Sequence, residues 1–320
     1  MRPISTGRIG YKNGRWLPDE ELSISWTDSQ FMFGDGCFEM HRTFVHRHFL
    51  LDEHIDRLFS SMRSFSIPIN KTRNELRDII HDVMVRNESH YRDDEYRFMI
   101  NVSRGPLPVY REVFELDEGE EWGQPTWIIN AWPLSKTAKT MAHFYETGAN
   151  AVIVPQRQIS SQYLDPKVKS RSRAHLMLAN IQANHYGKDA QALLLDEQGL
   201  IAEGTGANFV IIKDRKIIVP ELRNVLRGCS MTYIIDVIAP VLGLEVIECN
   251  FEPYDVLNAD EAFFTGTFTN LIPCNRLNGQ LIKGCINSEP MGLITQQICQ
   301  QWSRNVGIDF ISQVKEWNKR

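Results

Sequence analysis

Apolar residues along this chain change their period several times, and each change marks an element. Arg8 to Leu17 reads as a β-hairpin around Asn13-Gly14, a dipeptide that accepts the positive φ values of a type I′ turn. After a polar loop, Phe31-Met32-Phe33-Gly34-Asp35-Gly36 leads into a strand-like run from Cys37 to Val45. Ile55, Leu58, Phe59 and Met62 then recur at helical spacing, with Asp52 as the expected N-cap. A second helix follows, carrying Leu76, Ile79, Ile80, Val83 and Met84 on one face. Strands are expected over Tyr96–Ser103 and Thr126–Trp132. The stretch between them, Gly105–Gln124, is rich in Pro, Gly and acidic residues and reads as a long surface loop.

Residues 133–148 are small and polar and lose the apolar period, so a boundary is expected there. The reading is an N-terminal α+β domain over 1–135, a linker over 136–148 and a C-terminal domain over 149–320. In the C-terminal domain short strands dominate, at 151–154, 192–195, 209–213, 216–219, 245–249 and 261–264. An irregular approach over 159–169 leads to a helix at about 172–186, and another helix starts near Gly228. Many short strands with few helices predict a barrel-like or strongly curved sheet.

Composition narrows the function classes. The 320 residues are 42% hydrophobic and 23% charged, with a formal net charge of -5. That is enough apolar material for a large core and lacks the basic excess of a nucleic-acid binder. No apolar run is long enough to span a bilayer; the best, Ile234–Leu244, is broken by Asp236, Pro240 and Gly243. The first residues, Met1-Arg2-Pro3-Ile4-Ser5, lack the apolar stretch of a secretion signal. The six cysteines form no CxxC pair and stand near no His in metal-ligand spacing, so no metal is expected. They read as thiols of a reducing compartment, and the expected location is the cytoplasm.

Five short segments, far apart in the chain, meet one chemical need. Pyridoxal phosphate requires an amine for its imine, a carboxylate for its ring nitrogen and a dense anion site for its phosphate. Lys169, in Pro166-Lys167-Val168-Lys169-Ser170, follows an apolar neighbour and is the candidate amine, with Lys167 as local competitor. Glu203 stands between apolar residues and the turn Gly204-Thr205-Gly206 and is the candidate carboxylate; the third glycine of a dinucleotide fingerprint is missing. For the phosphate, Gly228-Cys229-Ser230 opens a helix, Gly266-Thr267 ends a strand, and Arg57 offers a charged fork.

Together these segments carry a resemblance. The chain resembles the class IV pyridoxal-phosphate aminotransferases, which include branched-chain and D-amino-acid aminotransferases and aminodeoxychorismate lyase. The residues that carry it run from Tyr11-Lys12-Asn13-Gly14 to about Pro273. They are Phe33-Gly34-Asp35-Gly36-Cys37-Phe38-Glu39, Asp52 to Leu58, Pro166 to Ser170, Ala202 to Val210, Val225-Leu226-Arg227-Gly228 and Ala259 to Thr267. The resemblance implies a fold-type IV enzyme: a smaller α+β N-terminal domain and a larger pseudo-barrel C-terminal domain, paired as a homodimer. It implies that Lys169 carries the cofactor as a Schiff base and moves the substrate proton. Glu203 would face the ring nitrogen and Leu226 pack on the ring, while Arg57, the amides of Cys229 and Ser230, and Thr267 hold the phosphate.

Departures from the family pattern bear on the substrate. Ala174 stands where branched-chain enzymes have a tyrosine bonded to the ring oxygen, and Arg173 or His175 are the stand-ins. Gly228-Cys229-Ser230 replaces the usual Gly-Ile-Thr and keeps a hydroxyl and the amides. The loop Arg104 to Arg111 lacks the histidine of the D-specific enzymes' carboxylate pair. Arg97 and Arg42 align with arginines of the branched-chain substrate pocket, and Phe38 with its phenylalanine. Glu39 follows Phe38 as in transaminases, where lyases have threonine. The expected activity is transfer of an amino group from a branched-chain-like L-amino acid to a 2-oxo acid. The alternatives are an aminodeoxychorismate lyase and a D-amino-acid or (R)-amine transaminase. The partners expected are those small molecules and a second copy of the chain, with neither nucleic acid nor membrane.

Overall fold

The Asn13-Gly14 turn closes with φ of 45° and 91° and pairs β1 (Ile9–Lys12) with β2 (Arg15–Pro18). The computed structural model describes residues 6–285 and 290–320; residues 1–5, read above for a secretion signal, lie outside them. The chain folds as two units. One holds the residues up to Lys136 together with Val168–Arg173, and the other Thr137–Lys167 and Ala174–Arg320.

The first unit is built on an antiparallel sheet. Its remaining strands are β3 (Gly36–Phe44), β4 (Arg47–Phe49), β5 (Tyr96–Ser103) and β6 (Thr126–Pro133), in the order β2-β1-β6-β5-β3-β4. Helix α1 (Ser29–Phe33) precedes β3, and α2 (Leu51–Ser64) and α3 (Arg73–Arg86) follow β4. Alternation along a strand sends successive side chains to opposite faces. Phe98, Ile100 and Val102 of β5 therefore meet Ile55, Leu58 and Met62 of α2 and Leu76, Ile80 and Val83 of α3 in one core. Asp52 is not the cap of α2. The chain leaves β4 through a left-handed Leu50 (φ 54°), which is the N-cap, so the helix starts two residues early and Asp52 pairs with Arg77 at 2.5 Å instead. Thr72 and Glu75 close a reciprocal capping box on α3. The 105–124 stretch contains a 3-10 turn at Pro108–Tyr110, and its buried Glu120 holds Lys12 at 2.8 Å.

The chain passes from the first unit to the second within the short helix α4 (Ser135–Ala138), and α5 (Phe144–Thr147) then leads into β7 (Ala149–Arg157). Then come α6 (Ala174–Asn184), β8 (Ala190–Leu195), β9 (Ile201–Gly204), β10 (Asn208–Lys213) and β11 (Lys216–Val219). Helix α7 (Cys229–Tyr233) runs through a π turn into α8 (Ala239–Val241). It is followed by β12 (Val246–Glu248), α9 (Pro253–Leu257), β13 (Glu261–Gly266), β14 (Asn270–Leu277) and β15 (Gln280–Leu281). Two C-terminal helices, α10 (Leu293–Val306) and α11 (Phe310–Lys319), end the chain. The strands β10, β13, β14, β7, β8 and β9 form a ring, closed where Asn208 of β10 pairs with Glu203 of β9. The expected barrel-like sheet is thus present. Val152, Val154 and Leu194 pack under α6 through Ala179 and Ala183, while Ala151, Leu193, Phe209 and Phe264 share a separate core. Among the described residues no helix is long and apolar enough to cross a membrane.

Candidate active site

In the first unit the residues predicted for chemistry converge on β3. Cys37, Glu39 and His41 face the helices, so Phe38, Met40 and Arg42 face the other way. Phe38 lies opposite Asn101, Met40 opposite Met99, and Arg42 opposite Arg97. The segment 168–173 runs beside the start of β3. Phe38 N donates to Lys169 O (3.1 Å), Arg171 N to Gly36 O (2.8 Å), and Ser172 Oγ to Gly34 O (3.1 Å). Lys169 N donates to Ser61 Oγ of α2 at 3.2 Å, and Val168 packs on the core below. This backbone framework fixes Lys169, whose Nζ lies 5.0 Å from the centre of the Phe38 ring. Lys167 belongs to the other unit, where its ammonium pairs with Asp165 at 2.8 Å.

Arg57 is held, not solvated. Its Nε and Nη2 each donate to a Glu39 oxygen at 2.7 Å, and His54 Nδ1 meets the same carboxylate at 2.7 Å. Burial alone would push the Glu39 carboxyl up. The Arg57 charge and the hydrogen bonds of Arg57 and His54 outweigh it, so the group stays well below the usual carboxylate range. Arg97 sits beside Met40 Sδ (3.8 Å) and Trp132, and burial brings its pKa down to about 10. Arg42 is fully buried, with its guanidinium 3.9 Å from the centre of the Phe44 ring. Arg104, in the loop weighed for a carboxylate site, is committed to Asp35 through Nε (2.6 Å) and Nη2 (3.0 Å). Arg173 lies 5.3 Å from the Phe38 ring centre, whereas Ala174 and His175 open α6 in the second unit.

In the second unit Glu203 is buried at the seam of the ring. Its carboxylate accepts from Gln158 Nε2 (2.6 Å), Asn208 Nδ2 (3.2 Å) and Leu226 N (3.2 Å). Asn208 also donates to Leu226 O at 2.7 Å, so one side chain ties β9, β10 and the 226 turn together. Gly228 begins α7 without any side-chain cap, and Cys229 and Ser230 behind it are buried. A Cβ on Gly228 would overlap the Asn208 amide oxygen, which is why only glycine fits. The helical run from Cys229 to Val241 thus starts with uncapped amides, the arrangement that favours an anion. Thr267 follows the end of β13, in a turn braced by Thr265 Oγ1 on Asn270 O (2.6 Å).

Sequence reasoning missed Gln158, which anchors Glu203. Asn208 lay inside a quoted motif without an assigned role. Asn208 could have been found from its place after the Gly-rich turn. Gln158 stands 45 residues from Glu203, and no local signal marks it.

A sequence model of the family described as amino-transferase class IV matches residues 36–277. Over 293 residues the chain is 31% identical to a protein of Methanocaldococcus jannaschii provisionally named a branched-chain-amino-acid aminotransferase, covering 91% of this chain and 94% of that one. Over 281 residues it is 26% identical to the aminodeoxychorismate lyase of Bacillus subtilis, covering 83% and 86%. The crystal structure of a branched-chain amino acid aminotransferase from Thermobaculum terrenum, in its PLP form, superposes with a TM-score of 0.79 over 98% of both chains. At 24% identity that likeness speaks for the fold.

Proposed function

The chain belongs to the class IV aminotransferase family, whose members depend on pyridoxal 5′-phosphate, and we propose that it moves the amino group of a branched-chain-like L-amino acid to a 2-oxo acid. The observation that carries this reading is the setting of Glu203. Three donors, from Gln158 just after β7, from β10 and from the 226 turn, fix a buried carboxylate beside uncapped helix amides. A cofactor with a basic ring nitrogen and a phosphate needs those two features together, and the donor set fits it.

When bound, pyridoxal phosphate supplies an electron sink for the pair left on the substrate carbon once its proton is removed. In this reading Lys169 attaches the cofactor and then takes and returns that proton at Nζ. Glu203 keeps the ring nitrogen protonated, and Leu226 packs against the ring. Arg57, oriented by Glu39, holds the phosphate with the amides of Cys229 and Ser230 and the hydroxyl of Thr267. Phe38 and the arginine pair Arg97 and Arg42 form the substrate side.

Two further readings belong with it. The exposed apolar residues of α6, Met177, Leu178 and Ile181, support a homodimer. The six cysteines form no disulfide among the described residues and five of them are buried, which supports a reducing, cytoplasmic location.

The experiment is a panel of amino donors offered with 2-oxoglutarate or pyruvate, followed through the absorbance of the bound cofactor. Conversion of branched-chain L-amino acids ahead of D-amino acids and simple amines is expected. The similarity to a lyase favours one rival reading. Pyruvate released from aminodeoxychorismate with no 2-oxo acid acceptor present would establish it in place of transamination.

A further inference from the structure

The strand face that carries Phe38 holds a cation that none of the roles above uses. Arg171 follows Lys169 by two residues, and its backbone is tied to Gly36 at the start of β3. Its Nε donates to Asn101 Oδ1 at 2.6 Å and its Nη2 reaches Met99 Sδ at 2.9 Å. Its guanidinium carbon stands 4.0 Å from the centre of the Phe38 ring. Asn101 is itself fixed, because its Nδ2 donates to Gln30 Oε1 at 2.8 Å and turns its oxygen to the arginine.

These partners are all neutral. Among the described residues no carboxylate pairs with Arg171; burial, with the positive charge of Arg173 as the smaller cause, brings its pKa down to about 10. A guanidinium withdrawn from water with only neutral partners is costly to keep. Asn101 and Met99 use one donor on Nε and one on Nη2, out of five in a planar fork that matches a carboxylate. The site is therefore short of one anion, and the same Phe38 ring has Lys169 Nζ 5.0 Å from its centre.

Position separates Arg171 from its rival. Arg97 lies four residues before Asn101 on β5, about 13 Å along the strand at roughly 3.3 Å per residue. Arg171 sits at the level of Asn101 and Phe38, where the lysine is.

We propose that Arg171 binds a carboxylate of the substrate, and that this contact makes the enzyme select amino acids and 2-oxo acids over amines that lack one. The proposal rests on the reading that Lys169 attaches the cofactor. It refines the substrate side assigned to Arg97 and Arg42.

The test uses holoenzyme and two readouts. The first is titration with 3-methylbutanoate, an unreactive carboxylate, followed by cofactor absorbance. The second is the ratio of kcat/KM for the best amino acid of the donor panel to that for its decarboxylated amine. Arg171→Met should weaken 3-methylbutanoate binding by about ten- to a hundredfold, the loss of a charge-assisted hydrogen bond, and lower the ratio by a similar factor. Arg171→Lys keeps a buried cation without the fork and should lose less. The proposal is overturned if Arg171→Met stays within twofold of wild type on both readouts, or if Arg97→Met shows the larger loss. Failure of wild type to convert any amino acid would count against the functional reading alone, because the titration still decides the role of Arg171.

Discussion

Glu39 shows what a single buried charge does here. It is fully buried, yet two nitrogens of Arg57 and one of His54 keep it ionised. Its folded-state pKa lies below its unfolded one, so its contribution is present above the ordinary carboxylate range near 4.3 and is lost as pH falls toward the folded value. Glu39→Gln should cost about 3 kcal/mol in urea unfolding near neutral pH, because Arg57 is left buried without its counter-ion. The same variant should bind the cofactor more weakly in a titration, since the fork proposed for the phosphate loses its orientation. Glu203 gives the complementary case. Glu203→Ala should slow proton removal by about 10²–10³ in single-turnover kinetics while weakening cofactor binding less, because the contacts proposed for the phosphate remain. A variant within a few-fold of wild type would take Glu203 out of the mechanism. Lys169 and Glu203 could be singled out in the sequence because each stands in a motif. The role proposed for Arg171, and the contact of Gln158 with Glu203, could not, because an arginine or glutamine acquires such partners only from distant parts of the chain.

The elements show where local pattern suffices and where it does not. The hairpin at Asn13-Gly14, the helix α3 and the strand β5 follow from spacing and turn chemistry alone. The strand β14 was hidden because it opens at Asn270, with φ of 62°, and contains Pro273, which ordinarily argues against a strand. Pro155 likewise truncated the reading of β7. The helices α10 and α11 do carry the helical period in Ile294, Ile298 and Trp302 and in Phe310, Val314 and Trp317, but sit after a run of strands that set the expectation for this half. At the start of α7, Gly228→Ala would push the Asn208 side chain off both Glu203 and Leu226 O. The expected cost is about 1–3 kcal/mol of overpacking, read as a lower melting temperature together with weaker cofactor binding. The β3–β4 pair carries a second titration. His41 Nε2 and His48 Nδ1 lie 3.0 Å apart, burial holds both rings neutral, and His48 is brought down to about 4. Unfolded imidazoles take up protons near 6.5, so stability should fall as pH drops from there toward 4, by about 1.4 kcal/mol per pH unit for each ring. His48→Gln should flatten that slope by about one proton in acid-unfolding curves, and an unchanged slope would mean that the loss comes from elsewhere.

At the scale of the whole molecule, the first unit is a sheet with helices on one face and the second a ring of strands with α6 against it. In α6, Leu176, Ala179 and Ala183 are buried, but Met177, Leu178 and Ile181 are exposed by 61%, 51% and 49%. A helix with apolar stripes on two opposite faces belongs between two layers, and the described chain supplies only one. A second copy of the chain is the occupant proposed here, since scattered single apolar residues need no cover but a contiguous helical stripe does. Ile181→Asp places a charge in that stripe and should raise the dimer dissociation constant at least tenfold, about 1.4 kcal/mol, in sedimentation equilibrium. Val85→Asp on α3, a similarly exposed but isolated apolar position, is the control and should leave association within about 0.5 kcal/mol of wild type. If Ile181→Asp and wild type sediment alike as dimers, the stripe on α6 is not the interface. If wild type is a monomer at all concentrations, the dimer reading itself fails.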